Sequence, residues 1–317
     1  MPRPGSVDVN RRATRTSPVA VTLAVAAIAA LAGGIAAVAG AAEPVNVNWP
    51  SYLPALPGQT KPQPRSVPHC RHSSVRCIDK EITRMRSLQK RLRCDHRAVF
   101  ATTYLELTRV LRQTPRKHPH FFKYSHYLYT EDALFADVYF NTFRAAGHRR
   151  AVPPAWQIAF DTARSGQVNA GQDMLLGINA HVQNDMPFVV AALGQHTRSG
   201  ASRKPDHDRV NEILNAAYEP VVETVARRYD PLITTTNAKW SPLDDVAGLE
   251  LVKEWREGVW RNAERLLAAR SHAERKQVAD QIQTSAATWA RMIAAPQQPG
   301  YRATRDAYCR AKLAHGA

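Results

Sequence analysis

Apolar residues recur every three or four positions along most of the chain after residue 77, and this spacing limits the fold more than any other feature. Ile82, Met85, Leu88 and Leu92 give the pattern first, with arginines and lysines between them. Such a period places apolar side chains on one face of an α-helix. No stretch alternates apolar and polar residues for long enough to predict a strand, so the sequence predicts an all-α fold.

Helix start and stop signals divide the periodic region into about seven or eight helices, which we expect to form a single domain over residues 71–317. Pro153-Pro154 fits a first helical turn, and Ser271 with Glu274 fits a capping box. The residues after 294 are predicted to be a basic tail. Helices are predicted at about 78–92, 100–111, 131–143, 155–164, 170–193, 208–228, 241–270 and 271–294.

The N-terminal 70 residues predict export. Four arginines precede an apolar run at 19–38, and small residues follow at 39–42, as is typical of a signal peptide. An uncleaved membrane anchor is the alternative, because about 20 apolar residues can span a bilayer. Residues 43–70 are rich in proline and predict an extended linker. The domain is therefore expected to be secreted or attached to the cell envelope, with 1–42 as signal peptide or tether.

The formal net charge of +16 indicates an anionic partner. Between Lys61 and Lys117 the chain has 15 lysines and arginines against four acidic residues. This basic segment favours lipid headgroups or wall polymers over nucleic acid. The alternative is a solvated face with no partner. Oligomeric state does not follow from these features.

Four cysteines in a chain expected to be exported indicate disulfides. Three pairings are possible, and we predict Cys70–Cys77 with Cys94–Cys309. Oxidised cysteines remove a thiol nucleophile. The sequence also has no G-x-S-x-G elbow, phosphate loop or dinucleotide fingerprint.

The segment GINAHVQNDMPFVV, residues 177–190, places polar residues in an otherwise apolar helix. His181 and Asp185 are four positions apart and share a helical face. A buried charge is costly unless it is paired or ligated. The pair therefore predicts either an ion pair that fixes packing or two ligands of a metal ion. Pro187 predicts a kink beside the pair, and Asn184 adds an amide.

Other helices carry similar polar pairs. Asp137 and Asn141 are four apart, as are His207 and Asn211. If these faces converge, they form a polar pocket of the kind that holds metals in helical bundles. Each pair also has a structural interpretation, because aspartates often cap helices. The further residues considered for this pocket are Asp206, Asp208, Asp95 and His96.

Several segments together resemble the signature segments of a family of bacterial domains of unknown function. They are LLGINAHVQNDMPFVVAALG, RKPDHDRVN, CDHRAVFATTYL and FADVYFNTF. The resemblance covers most of residues 75–240 and implies no established activity.

A weaker resemblance is to the zinc-dependent phospholipase C and P1 nuclease superfamily, whose exported all-helical enzymes hold three zinc ions. This resemblance implies that His181 and Asp185 are a first ligand pair and that His207 leads a second. The partner of His207 is Asn211 rather than an acid, and the chain expected after cleavage does not begin with a ligating tryptophan. Both departures speak against a complete trinuclear site.

Our hypothesis from the sequence is a metal-dependent hydrolase that acts on an anionic, phosphate ester-like substrate outside the cytoplasm. A zinc or other divalent ion would be bound by His181, Asp185, His207 and Asp137. Asp208 or Asp206 would orient water, and Asn141, Asn184, Asn211, Asp95 and His96 would support the ligands. The alternative is a non-catalytic envelope protein that binds anionic lipid or polymer through its basic face.

Overall fold

The structure is a computed structural model that describes residues 70, 72–235, 245–295 and 300–314. Every regular element in these ranges is helical, which confirms the predicted all-α fold. The expected signal peptide or anchor at 1–42 and nearly all of the expected linker at 43–70 lie outside the described residues. None of the described helices is long and apolar enough to cross a membrane.

A π-helical segment, Ala180–Asp185, joins the α-helix Ala170–Asn179 to the α-helix Met186–Leu193 without a break in the helical rod. In chain order the described α-helices are α1 (Val75–Leu92), α2 (Arg97–Lys117), α3 (Ser125–Gly147), α4 (Pro154–Ser165), α5 (Ala170–Asn179), α6 (Met186–Leu193), α7 (Lys204–Arg228), α8 (Leu232–Thr235), α9 (Asp245–Ala268), α10 (His272–Ile293) and α11 (Tyr301–Ala314).

Most predicted helix ends agree with the structure. Pro154 lies in the first turn of α4, and the Ser271 side chain accepts a hydrogen bond from the Glu274 N–H at 3.1 Å. Helix α7 begins at Lys204, four residues earlier than predicted, because Pro205 fits its first turn. Asp208 therefore lies inside α7 and does not cap it.

The prediction of a tail after residue 294 was wrong, since Tyr301–Ala314 form helix α11. Both predicted disulfides, Cys70–Cys77 and Cys94–Cys309, are confirmed. The buried Arg305 also donates a hydrogen bond to the Cys94 carbonyl at 2.6 Å. These tertiary links hold α11, and the local sequence gives little sign of them.

The continuous rod of α5, the π-helical segment and α6 passes through the middle of the fold. It contacts α2, α3, α4, α9 and α10. The surrounding core contains large buried side chains, including Phe100, Tyr139, Trp156 and Leu176. The π-helical segment, with His181 and Asp185, is therefore enclosed on several sides by packed helices.

Candidate functional site: a buried histidine and carboxylate centre

The segment 177–190, which places polar residues in an apolar helix, contains the π-helical turn. The Met186 N–H donates to the His181 carbonyl, the five-residue spacing of a π-helix. Pro187 has no N–H, so the Gln183 carbonyl loses its α-helical partner. The irregularity expected at Pro187 therefore takes the form of a π-helical turn just before the proline. Single π-turns inside α-helices are frequent at functional sites.

His181 and Asp185 bond directly to each other. His181 Nδ1 lies 2.9 Å from Asp185 Oδ2. The same Oδ2 accepts the Trp156 indole N–H at 2.8 Å, and Oδ1 accepts the Asn184 amide at 2.7 Å. Since a carboxylate only accepts, we assign the imidazole proton to Nδ1. Nε2 is then left with its lone pair.

Aromatic rings enclose the His181 imidazole. The Phe135 ring stacks on it with centroids 3.4 Å apart and planes within 3°, and the Tyr104 ring lies at 4.9 Å. Only 2% of the surface of His181 is exposed. Burial lowers the pKa of His181 and outweighs the opposing effect of Asp185. The imidazole is therefore neutral at neutral pH. The other rings nearby are Phe100, Tyr139 and Trp156.

Several buried polar atoms here have no hydrogen-bond partner among the described residues. They are His181 Nε2, Tyr104 Oη, Glu81 Oε1, Asp132 Oδ2 and Asn184 Oδ1. Each such atom costs about 1–3 kcal/mol, so a group of them needs an explanation. Burial, followed by the charges of Asp132, Glu81 and Asp185, raises the pKa of Tyr104. These carboxylates thus act on the hydroxyl of the ring that packs on His181. We call Glu81, Tyr104, Asp132, His181 and Asp185 the polar centre.

Glu81 of α1 and Asp132 of α3 each have one buried carboxylate oxygen without a hydrogen-bond partner among the described residues. One guanidinium, that of Arg84, serves both Glu81 Oε2 at 2.8 Å and Asp137 Oδ1 at 2.7 Å. Burial raises the pKa of Glu81 to about 7, despite the opposing effect of Arg84. Burial, with the charges of Glu81 and Glu131, raises the pKa of Asp132 to about 8. Both groups can therefore hold a proton near neutral pH.

We expect the free energy of unfolding to fall as the pH rises from about 5 to about 8. The ordinary pKa values are 4.5 for glutamate and 3.8 for aspartate. Between these values and the raised ones, the folded protein binds more protons than the unfolded chain, so each group contributes a slope of up to about 1.4 kcal/mol per pH unit. Urea denaturation at pH 5, 6.5 and 8 measures how the free energy of unfolding changes with pH.

The double variant Glu81→Gln, Asp132→Asn should have a shallower slope, and the part below about pH 6 should remain because burial raises the pKa of Asp173 to about 6. His181 and His207 have lowered pKa values, so they make stability rise with pH below about 6.5 and partly mask the effect. The comparison of wild type with the double variant separates the contribution of the two carboxyl groups from that of the histidines. An unchanged slope in that variant would assign the pH dependence to other groups.

The predicted ligands from other helices have partners of their own. The Asp137 carboxylate accepts from Arg84. His207 Nε2 lies 3.0 Å from the Arg256 carbonyl oxygen, and its ring lies near Trp260. Asn211 accepts from Arg256 Nε at 2.9 Å. Buried Arg256 thus organises the His207 pair, away from the rings that enclose His181.

The two predicted water-orienting residues also have structural partners. Asp206 accepts from the backbone N–H groups of Lys123 and Tyr124, at 2.9 and 2.6 Å, and so holds the loop before α3. Asp208 forms an ion pair with Lys204 one turn earlier in α7. Among the described residues, His181 shares none of these partners.

The remaining predicted residues surround a second histidine. Asp95 accepts from the backbone and guanidinium of Arg97 at the start of α2. His96 Nδ1 lies 2.7 Å from Asp173 Oδ2, and its Nε2 lies 3.3 Å from Asp306 Oδ1. Both ring nitrogens of His96 are therefore occupied, in contrast to His181. Asn141 is exposed and contacts Arg144.

Within the described ranges, no group of three or more His, Cys, Asp or Glu side chains is arranged to hold a metal ion. His181, Asp185, His207 and Asp137 therefore do not form one coordination shell there. Zinc or another divalent ion stays a prediction.

The sequence reasoning missed Trp156, Tyr104, Glu81 and Asp132. Two of them could have been found, because Glu81 shares the helical face of Ile78 and Met85, and Asp132 that of Leu128 and Phe135. A carboxylate at a core position is the same signal that singled out Asp185. Trp156 and Tyr104 look like ordinary core aromatics in the sequence.

The fold and site define an all-helical protein with a buried centre of histidine and carboxylate side chains at a π-helical turn. The chain belongs to a family of unknown function, DUF5995, whose model matches residues 78–296. The match bears out the resemblance to an uncharacterised domain family, and the comparisons give no support to the resemblance to phospholipase C and P1 nuclease. No curated protein and no solved structure matches the chain.

Proposed function

We propose that the protein is a hydrolase in which His181 is the general base. The observation that carries this proposal is the pairing of His181 Nδ1 with Asp185 while His181 Nε2 is buried without a partner among the described residues. A histidine oriented by a carboxylate through one nitrogen, with the other nitrogen free, is the usual geometry of a histidine general base.

The chemistry follows from the charges. The lowered pKa keeps His181 neutral, so Nε2 can accept a proton from water. The resulting imidazolium is stabilised by Asp185, which the indole of Trp156 and the amide of Asn184 hold in place. Asp132, with a pKa of about 8, retains its proton at neutral pH and can donate it to a leaving group.

A substrate can reach Nε2 only if a ring moves. Tyr104, Tyr139 and Trp156 are buried, whereas Phe135, which stacks on the imidazole, is partly exposed. Phe135 is therefore the side chain whose rotation would admit a substrate. Helix α3 carries both Phe135 and Asp132, so one helix supplies the cover and the proton donor.

The finer parts of the proposal come from the sequence. The substrate is anionic and resembles a phosphate ester, and it lies outside the cytoplasm. A divalent ion, if bound, uses His181 Nε2 as a ligand, because metal-bound histidines also place their second nitrogen on a carboxylate. Such an ion would supply a Lewis acid and an activated water.

A second candidate function is a non-catalytic envelope protein that binds anionic lipid or polymer. It is favoured by four exposed basic residues of α1 that have no ion pair among the described residues. These are Arg76, Arg86, Lys90 and Arg91. In this function the polar centre only fixes the helices.

The experiment combines elemental analysis with a screen of phosphate monoesters, phosphate diesters and carboxylic esters. The protein is produced in an oxidising compartment without a metal-binding tag, beside His181→Asn and the exposed control His148→Asn. Asparagine can still donate to Asp185 but has no Nε2. We expect hydrolysis by wild type and control, and a loss of about 10²–10⁴-fold in His181→Asn.

The metal content decides how water is activated. About one ion per chain that is lost in His181→Asn means metal assistance, and activity without metal means that the imidazole acts alone. No hydrolysis by any form, with only a lower melting temperature for His181→Asn, would overturn the proposal and make the pair a structural lock.

A further inference from the structure

A cavity lies where the turn after α1 meets helix α11. Its volume is about 420 Å³, and it is lined by Arg93, Cys94, Arg310, Leu313 and Ala314. This volume is in the range of about 300–1,000 Å³ that small-molecule sites occupy. Both arginines are exposed, so the cavity opens to solvent with two guanidinium groups at its edge.

The disulfide Cys94–Cys309 brings the two arginines together. Arg93 precedes one bridged cysteine and Arg310 follows the other, and the two cysteine Cα atoms are 5.8 Å apart. Arg93 has a φ of 53°, which residues other than glycine rarely adopt, and it ends α1 at the cavity. Two positive side chains separated by 216 residues of sequence are thus placed side by side by a covalent link.

The neighbouring carboxylates are engaged elsewhere. Asp95 pairs with Arg97, and Asp306 contacts His96 and Arg305. Neither Arg93 nor Arg310 has a carboxylate partner among the described residues. The two guanidinium groups at the cavity are therefore free to bind an anion from outside the chain.

The basic surface continues from the cavity along α1. Arg86 and Lys90 are four residues apart and share a face of α1, and Lys90 lies three residues before Arg93, which ends the helix. Arg86 and Lys90 are exposed. A polymer or membrane whose anionic group is bound at the cavity could thus place further negative charges against Arg86 and Lys90 of α1.

We propose that this cavity binds a phosphate group carried by a soluble polymer or a lipid headgroup. Guanidinium groups match the oxygens of phosphate in bidentate hydrogen bonds, and Leu313 supplies an apolar wall for the carbon atoms attached to it. The site does not depend on the proposed hydrolase activity, because it shares no residue with the polar centre.

The test measures binding of the full chain to two probes at low and physiological salt. Tripolyphosphate, followed by calorimetry, represents a soluble source. Phosphatidylglycerol vesicles, followed by sedimentation against phosphatidylcholine vesicles, represent a membrane. The variants are Arg310→Ala and Arg93→Asn, since asparagine tolerates positive φ. The control is Arg291→Ala, an exposed arginine of α10 with the same loss of charge.

We expect each cavity variant to weaken binding about tenfold or more, as for loss of a charged hydrogen bond, and the control to change it less than twofold. Dependence on Arg93 and Arg310 with tripolyphosphate assigns a soluble polymer, and the same dependence with vesicles alone assigns a lipid headgroup. Cysteine-to-serine exchange at Cys94 and Cys309 should weaken binding similarly while the circular dichroism stays helical. Absence of binding to both probes, or equal binding by cavity variants and control, overturns the proposal.

Discussion

Gly177→Ala is expected to lower the free energy of unfolding by about 3 kcal/mol or more, the upper part of the range for overpacked cores. A methyl group on Gly177 would lie 2.2 Å from Cγ of Phe100 and 2.6 Å from its Cβ. Phe100 cannot withdraw, because it packs edge-on against Tyr139 and against Trp156. Helix α5 would therefore have to move away from α2, which disturbs the rod that holds the polar centre.

Chemical denaturation of Gly177→Ala beside Gly258→Ala measures this effect. Gly258 lies inside α9, and a methyl group there would meet no atom within 4 Å. Alanine is the better helix former, so Gly258→Ala should stabilise the protein by about 0.5–1 kcal/mol. Opposite signs for the same chemical change would establish that contact with Phe100 causes the loss. A similar small gain in both variants would mean that α2 and α5 pack less closely than described.

Asp185→Asn is expected to leave the protein folded while it weakens His181 as a base. The new amide oxygen can accept from Trp156 and His181, and the Asn184 side chain can turn its unpaired oxygen toward the new amide N–H. Burial already lowers the pKa of His181, and the bond and charge of Asp185 oppose that change. Loss of the charge should therefore lower this pKa further and reduce hydrolysis by about 10²–10⁴-fold.

Nuclear magnetic resonance titration of the His181 ring measures the pKa independently of any substrate. Asp173→Asn is the matched control, because it makes the same change beside the buried His96. We expect the control to leave the His181 titration and the hydrolysis rate unchanged, because the two pairs act separately. An unchanged His181 titration in Asp185→Asn would show that Asp185 does not govern the proton affinity of this histidine.

The fold was largely readable from the sequence because its signals are local. The apolar spacing and the start signals at Pro154 and Ser271 depend on residues within one or two helical turns. The helices of the structure agree with them. Helix α11 was missed because it depends on contacts far away in the chain: Cys309 bonds to Cys94, and Arg305 donates to the Cys94 carbonyl. The residue spacing within one segment does not indicate contacts with residues so far away in the chain.

The candidate site was readable only in part. His181 and Asp185 were found because a charged pair in an apolar helix is costly wherever it lies. Whether Asp137 and His207 lie beside this pair depends on how the helices pack, which spacing within one helix does not determine. In the structure Asp137 accepts from Arg84, and His207 contacts the Arg256 carbonyl oxygen. Glu81 and Asp132 reach the centre from α1 and α3, and their helix faces could have indicated burial but not a shared location.

The bridge between Cys94 and Cys309 sets an order of events during synthesis. Cys309 lies 215 positions after Cys94, so at about 5–20 residues per second it emerges from the ribosome about 10–40 s later. Cys70 and Cys77 are only seven residues apart and can pair as soon as both reach an oxidising compartment. During this interval Cys94 has no correct partner. Early formation of the Cys70–Cys77 disulfide prevents Cys94 from pairing with either of those two cysteines before Cys309 has been synthesised.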